Sequence, residues 1–461
     1  MRAMARLPIQ ITFKENIMAA RELNNIKFTK TNGGMGRKAD NEDPISGLLM
    51  LLPEMSESAL LNDSNGHFPF NKIEKPDGTN DLYVAMLRYP ESLATLGAGI
   101  SEQELSMKVS DNTVDEYKAK AASNTVSYHV KEFFRMNPKG TLYLGIKIAG
   151  ASIAGADISA LQNYANGTIR QCGVFSAKVL DELGKYQTEC TSLERDYKPL
   201  SLIVATPGKT YTVGVDPNDS TAIKLTESPV LSLSDMVGST VYTSAGRCNV
   251  SLLVGCDLDN GLIGKLGHYK YYGCIGTCLG AVSKAAVHEC IAWVQKFPLG
   301  LKEPGLISGN LISEVSTENQ EEMNGNRYIF VRTHVGNADN FFNDSHTLDE
   351  PTSDYAYIEN VRTIDKACRG VRANLLPYLN SPLKVDAETG QLDPGTVAFL
   401  ETTAGKALED MEKAGELSGY RAEIDPEQNV LATSEVEVLI KNVPMGVMRS
   451  VHVKIGFTTS L

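Results

Sequence analysis

Cys274, Cys278, His288 and Cys290 are the side chains that come nearest to a metal-binding set in this 461-residue chain. The first pair has three intervening residues, which suits zinc, but the His-x-Cys of the second pair is unusual for that metal. If residues 274–297 form one helix, Cys274 and Cys278 share a face while His288 and Cys290 do not share one with each other. Buried thiols in an apolar helix account for the four better, and no metal is expected. The seven histidines (His67, His129, His268, His288, His334, His346 and His452) are dispersed and form no Ser/His/Asp set. Catalytic groups distant in sequence can still converge in space, so a soluble α/β enzyme stays open as the reading from a different class.

Two glycine-rich stretches invite a phosphate-binding reading. Asn32-Gly-Gly-Met-Gly-Arg-Lys38 lacks the G-x-x-x-x-G-K-[ST] spacing and follows no buried strand, so it reads as a loop. Gly273-Cys-Ile-Gly-Thr-Cys-Leu-Gly280 opens a helix without the G-x-G-x-x-G spacing of a dinucleotide loop. Small residues in a tightly packed helix explain it, and no cofactor is expected.

The elements that would position such residues belong to a large folded chain. Hydrophobic residues make up 42% and charged residues 22%, and the length suggests two or three domains. A net charge of −12 argues against a nucleic-acid partner, whose phosphates need a basic footprint. No run of 18 apolar residues suggests a membrane span. Basic residues at the N-terminus are followed by no long apolar stretch, so no secretory signal is expected, and Met4 is an alternative start. Eight scattered cysteines then read as reduced thiols of a cytoplasmic product.

Leu7, Ile9, Ile11 and Phe13 alternate with mostly polar neighbours, the period of a half-buried strand, and residues 1–25 are assigned to an N-terminal arm. Residues 26–350 form an α/β region. The segments 141–148, 168–175, 200–205 and 249–255 read as strands, the last two apolar enough to be buried on both faces. Helices are expected within 103–135, at 176–183 and at 274–297, giving a mixed or parallel sheet. A boundary falls near 347–354. Beyond it, 357–379 and 394–415 read as helices and 434–441 and 450–457 as alternating strands, so residues 351–461 make an α+β unit.

The ordered pieces of that last unit resemble the end of contractile phage tail sheath proteins. They are Asp354-Tyr-Ala-Tyr-Ile-Glu-Asn-Val-Arg-Thr-Ile-Asp-Lys-Ala, Leu417-Ser-Gly-Tyr-Arg-Ala-Glu-Ile-Asp425, and Asn429 with two strands around Val443-Pro444. The segments 128–135 and 137–143 and the helix start at Gly273 resemble the Mu-like branch of that family. The resemblance implies a structural subunit with no enzymatic activity. Such subunits polymerise helically around an inner tube, through exchanged terminal strands, and contract to drive the tube through a cell envelope. Its partners would be further copies of itself, the inner tail tube protein, and baseplate and tail terminator proteins. Its place would be a virion tail assembled in the bacterial host cytoplasm. A headless contractile particle or tailocin fits the same subunit.

Two sets of residues suit that role. Leu7, Ile9, Ile11 and Phe13 at one end and Val451, Val453, Ile455 and Phe457 at the other have the alternation of strands that can join a neighbour's sheet. Both strands can equally complete their own subunit's sheet. On the helix from Tyr357, Arg362, Lys366, Arg369 and Arg372 fall within about a third of the circumference. Val361, Ile364, Cys368, Val371 and Leu375 lie opposite and are expected to face the core. The resemblance implies that the basic arc contacts an acidic inner tube; a solvated surface face, with Asp365 paired to Arg369, is the alternative.

Overall fold

Strand after strand sends successive apolar side chains to opposite faces, and the result is an eight-stranded mixed sheet. The computed structural model describes residues 42–458 except 54, 56, 58–59, 61–69, 75–80, 89–124, 243–245, 259–268 and 271–272. For 209–216, 219–229 and 269–270 it describes the backbone. The expected Leu7–Phe13 strand and the Asn32–Lys38 loop lie outside the described residues.

Strands β1 (Ile45–Leu51), β2 (Asn71–Ile73), β3 (Leu82–Arg88), β4 (Thr141–Lys147), β5 (Gln171–Phe175) and β6 (Ser201–Ala205) open the described fold. The hairpin β7 (Lys209–Asp216) and β8 (Asp219–Pro229) follows, then β9 (Val250–Leu253), β10 (Gly255–Asp257), β11 (Tyr269–Lys270) and β12 (Pro304–Leu306). Next come β13 (Tyr328–Ile329), β14 (Val331–Thr333) and β15 (Asn340–Phe342). The main sheet has the order β13-β9-β6-β5-β1-β4-β3-β2. Its strands from β13 to β4 are parallel, and β3 and β2 close one edge antiparallel.

On β1, Leu48 and Met50 enter one apolar cluster while Leu49 and Leu51 enter the other. The same split separates Ile203 and Ala205 from Leu202 and Val204 on β6, as a strand covered on both faces requires. Helices α1 (125–136), α2 (Gly155–Tyr164), α3 (Val179–Arg195), α4 (Leu233–Gly238), α5 (Ile275–Lys284) and α6 (Thr317–Gly325) surround the sheet. α2 and α3 cover the Leu49 face; α1 and α5 cover the Leu48 face.

The α1–α5 crossing explains the glycines that sequence alone left ambiguous. A Cβ at Gly276 would stand 2.2 Å from the His129 carbonyl oxygen, and one at Gly280 2.7 Å from that of Phe133. These glycines let two backbones touch, and no phosphate loop is needed to account for them. The expected helix over 274–297 is corrected: α5 stops at Lys284, and Ala285 is extended. Beyond it, the Glu289 carboxylate accepts from the Ala286 N–H, closing a local turn. Val287, Ile291, Phe297 and Leu299 are all buried along this turning path, so an apolar run that sequence reads as a helix is a core-lining loop.

After 347–353 come α7 (Ile358–Leu375) and α8 (Pro394–Lys413), which pack on one another. Gly415, at φ 74°, supplies the left-handed stop beyond α8. Then β16 (Leu417–Glu423), α9 (Val430–Thr433) and β17 (Leu439–Pro444) complete the unit, with β16 and β17 as an antiparallel pair. The strand expected at 434–441 is thus shifted to Leu439–Pro444. The one expected at 450–457 is corrected as well: residues 445–458 are in no strand and pair with no strand among the described residues, and an extended segment without a partner forms no ladder.

Candidate functional site

The described residues that sequence singles out fall into three places. The first is the inner side of α7. Arg362 is 4% exposed and donates through Nη1 and Nη2 to the Ala285 carbonyl oxygen, at 3.3 and 3.2 Å, and through Nη1 to that of Ala286, at 3.4 Å. The Ala285 oxygen is at the C-cap of α5, where carbonyls lack intrahelical donors, and the Ala286 oxygen also accepts from the Glu289 N–H at 3.0 Å. Burial lowers the Arg362 guanidinium to about 10, with Asp43 acting in the opposite sense. Arg362 is therefore an internal brace, which corrects its expected place on a tube-facing surface.

The rest of the basic arc turns toward the same body. Lys366 Nζ donates to Asp43 Oδ2 at 2.8 Å and to Glu416 Oε1 at 2.6 Å. Arg369 approaches Asp43 at 3.7 Å, and Arg170 pairs with the neighbouring Glu42. The Arg372 guanidinium lies 3.8 Å from the centroid of the Tyr197 ring, a cation–π contact. Asp365 is buried among these groups, and burial pushes its carboxyl up to about 7 against the pull of Arg369, Arg170 and Arg362. The expected core face holds in part: Val361 is buried, and Val371 and Leu375 are half-buried against apolar clusters that α8 also lines. Cys368 is corrected, since it is exposed, and Ile364 is half-buried. This network ties the start of the described sequence, at Asp43, to α7 and to Glu416 beyond α8.

The second place is the segment after β17. Val451, Val453, Ile455 and Phe457 are exposed, at 63%, 70%, 91% and 111%. The backbone carrying them is in no helix or strand. The third is the α5 region, where Cys274 and Cys278 sit in the apolar cluster and burial raises both thiols. Cys274 Sγ donates to the Gly255 carbonyl oxygen at 3.1 Å. His288 and Cys290 lie past the end of α5, and Cys290 Sγ stands 3.5 Å from Asp344 Oδ1. Among the described residues no cluster of three or more His, Cys, Asp or Glu side chains could hold a metal ion, and no helix is long and apolar enough to cross a membrane.

One polar arrangement had no signal in the sequence. Arg449, just before the exposed segment, pairs with Asp344 and Glu359 and lies 3.5 Å from the centroid of the Tyr357 ring. Nothing in local spacing links three residues so far apart.

The fold is shared with solved sheath structures. A chain of the anti-feeding prophage (AFP) helical sheath in its contracted state is 13% identical, with a TM-score of 0.53 over 94% of this chain and 100% of that one. A chain of the PVC sheath complex of an extracellular contractile injection system, also contracted, is 10% identical, with a TM-score of 0.52 over 94% and 99%. A chain from the AFP baseplate is 12% identical, with a TM-score of 0.51 over 94% and 100%. Identities this low establish a common fold alone. No curated protein matches the sequence. Residues 111–346 match the N-terminal domain of DUF2586, and residues 354–461 match its C-terminal domain. The first match alone covers more than half of the chain, and the chain belongs to the DUF2586 family.

Proposed function

We propose that this chain is the sheath subunit of a contractile tail, a structural protein that polymerises around an inner tube and acts without catalysis. The observation that carries the reading is the exposed segment 450–457. Its apolar side chains alternate with polar ones beside a two-stranded sheet that pairs with no third strand among the described residues. Such a segment would gain main-chain hydrogen bonds and apolar burial by joining the sheet of a neighbouring chain. The fold shared with two contracted sheaths over 94% of this chain supports the same reading.

In this reading further copies of the chain are the first partners, linked by the C-terminal segment and by Leu7–Phe13. An inner tube protein, a baseplate and a terminator are the others. Residues 351–461 lie nearest the tube and 26–350 project outward. The tube-facing role is proposed for Lys366, Arg369 and Arg372, whose side chains are part-exposed, and no longer for Arg362. Within sheath proteins, the Mu-like branch is proposed on the segments 128–135, 137–143 and 273–280. A headless injection particle is a second reading, favoured by the similar solved sheath that is named for an extracellular contractile injection system. Capsid and terminase genes beside the coding sequence would indicate a virion, and their absence a headless particle.

Negative-stain electron microscopy of the purified full-length chain tests the proposal. Hollow helical tubes are expected, lost on deleting residues 450–461 or 1–15 according to which arm is essential. Compact particles alone, at high concentration and across salt conditions, would overturn the reading and return a soluble α/β enzyme to first place.

A further inference from the structure

The segment leaving β17 is exposed, Arg449 included, yet the Arg449 side chain, at 29% exposed, is drawn back onto the body. Its Nε donates to Asp344 Oδ1 and Oδ2 at 3.1 and 2.9 Å, and its Nη2 donates to Glu359 Oε1. Its guanidinium also lies against the Tyr357 ring. Asp344 follows β15, and Glu359 sits in the first turn of α7. The pocket therefore spans 347–353, the interval between the two matched domains.

The pocket is built for a guanidinium. The Ser345 N–H donates to Asp344 Oδ1 at 2.8 Å, and the Ser345 hydroxyl donates to Glu359 Oε2, so both carboxylates are held in place. Both are buried, and two buried carboxylates side by side are costly unless a cation pairs with them or one of them takes up a proton. Arg327 also faces Tyr357, at 5.0 Å, but its donors go to the Thr347 and Ala356 carbonyl oxygens. A planar fork that bridges two acids and stacks on a ring is a task for arginine and not for lysine.

We propose that Arg449 is the anchor of the C-terminal arm: its ion pairs with Asp344 and Glu359 fix the arm's root to the junction of the two domains, so that residues 450 onward leave the subunit from one fixed point. Anchoring the root removes conformational freedom that capture by a neighbour would otherwise have to remove. The anchor itself stands on the single chain; its effect on assembly rests on the sheath reading above.

Trypsin reads the anchor directly, because it must extract a guanidinium or ammonium before cutting. In the native wild-type chain, cleavage after the exposed Lys454 is expected to be fast and cleavage after Arg449 slow. In Asp344→Asn and Glu359→Gln, cleavage after Arg449 should rise by on the order of tenfold while cleavage after Lys454 is unchanged. Should either variant lose resistance at all sites by unfolding, Arg449→Lys replaces it. It keeps the charge but not the fork, and cleavage at position 449 should again accelerate. Equal rates at 449 in wild type and folded variants overturn the anchor. For assembly, Arg449→Lys should raise the critical concentration for tubes by about tenfold. An unchanged value overturns the positioning role. Failure of the wild type itself to form tubes counts against the sheath reading, and the protease result still decides the anchor.

Discussion

The Arg362 guanidinium donates twice to the carbonyl oxygen of Ala285, tying α7 to the end of α5. This buried bond crosses between the two matched domains, so its loss is expected to be felt in global stability. Arg362→Ala leaves the Ala285 and Ala286 oxygens without these donors and opens a space, at a cost of roughly 2–4 kcal/mol. Arg362→Lys shortens the reach, loses one of the paired donors, and should cost more than half as much. Chemical denaturation of the unassembled chain measures both; a cost for Arg362→Ala under about 0.5 kcal/mol would show that Arg362 behaves as a surface residue.

Asp365 gives the same interface a pH dependence. Its carboxyl, ordinarily at 3.8, is pushed up to about 7 by burial, with Glu194 adding to the rise and Arg369, Arg170 and Arg362 opposing it. Between these two values the folded chain holds a proton that the unfolded chain has released. This group's contribution to stability therefore falls as pH rises from about 4 to 7 and levels off above that. Asp365→Asn removes the dependence. It should stabilise the chain by about 1–3 kcal/mol at pH 8 and change little at pH 4. Equal effects at the two pH values, or a loss at pH 8, would contradict the assignment.

What sequence conveys and what it hides separate cleanly on α7. Its extent, the second helix and the stop near Gly415 follow from local periodicity and a glycine in the left-handed region. The buried strands around Leu202 and Val250 follow likewise from unbroken apolar runs. The face on which α7 docks does not, because Lys366, Asp365 and Arg369 are compensated by Asp43, Arg170 and Glu416, which no local pattern brings near. The loop after α5 misleads for a related reason. Apolar composition reports burial, and a core-lining turn can be as apolar as a helix. The Asp344–Glu359 pocket is illegible for the same cause as the α7 network, since its cation comes from far along the chain.

The α1–α5 contact offers a test of backbone packing that is independent of charge. A methyl group at Gly276 would meet the His129 carbonyl at 2.2 Å, and backbone on the facing helix cannot rotate away as a side chain can. Gly276→Ala should therefore force the helices apart and cost roughly 2–4 kcal/mol, in spite of alanine's better helix propensity. Gly238, where an added methyl at the end of a short helix would meet nothing within 4 Å, is the control. Gly238→Ala should change the unfolding midpoint little. Similar effects at both sites would mean that the two helices do not touch in solution.

The exposed arm makes the opposite prediction, a change silent in the subunit and severe in the polymer. Ile455 and Phe457 make no buried contact in the folded chain, so Ile455→Asp with Phe457→Asp should leave the melting temperature within about 1 °C of wild type. If a neighbour buries these side chains, each contributes roughly 1.5–3 kcal/mol to the link. Losing both therefore weakens association by a factor of about a hundred or more, since each 1.4 kcal/mol is tenfold. Tubes formed by the wild-type chain should be absent from the variant at the same concentration, read by sedimentation and electron microscopy. Because the subunit is unchanged, the loss cannot be assigned to misfolding. Undiminished tubes would instead move the essential link away from residues 450–457 and toward the arm at Leu7–Phe13.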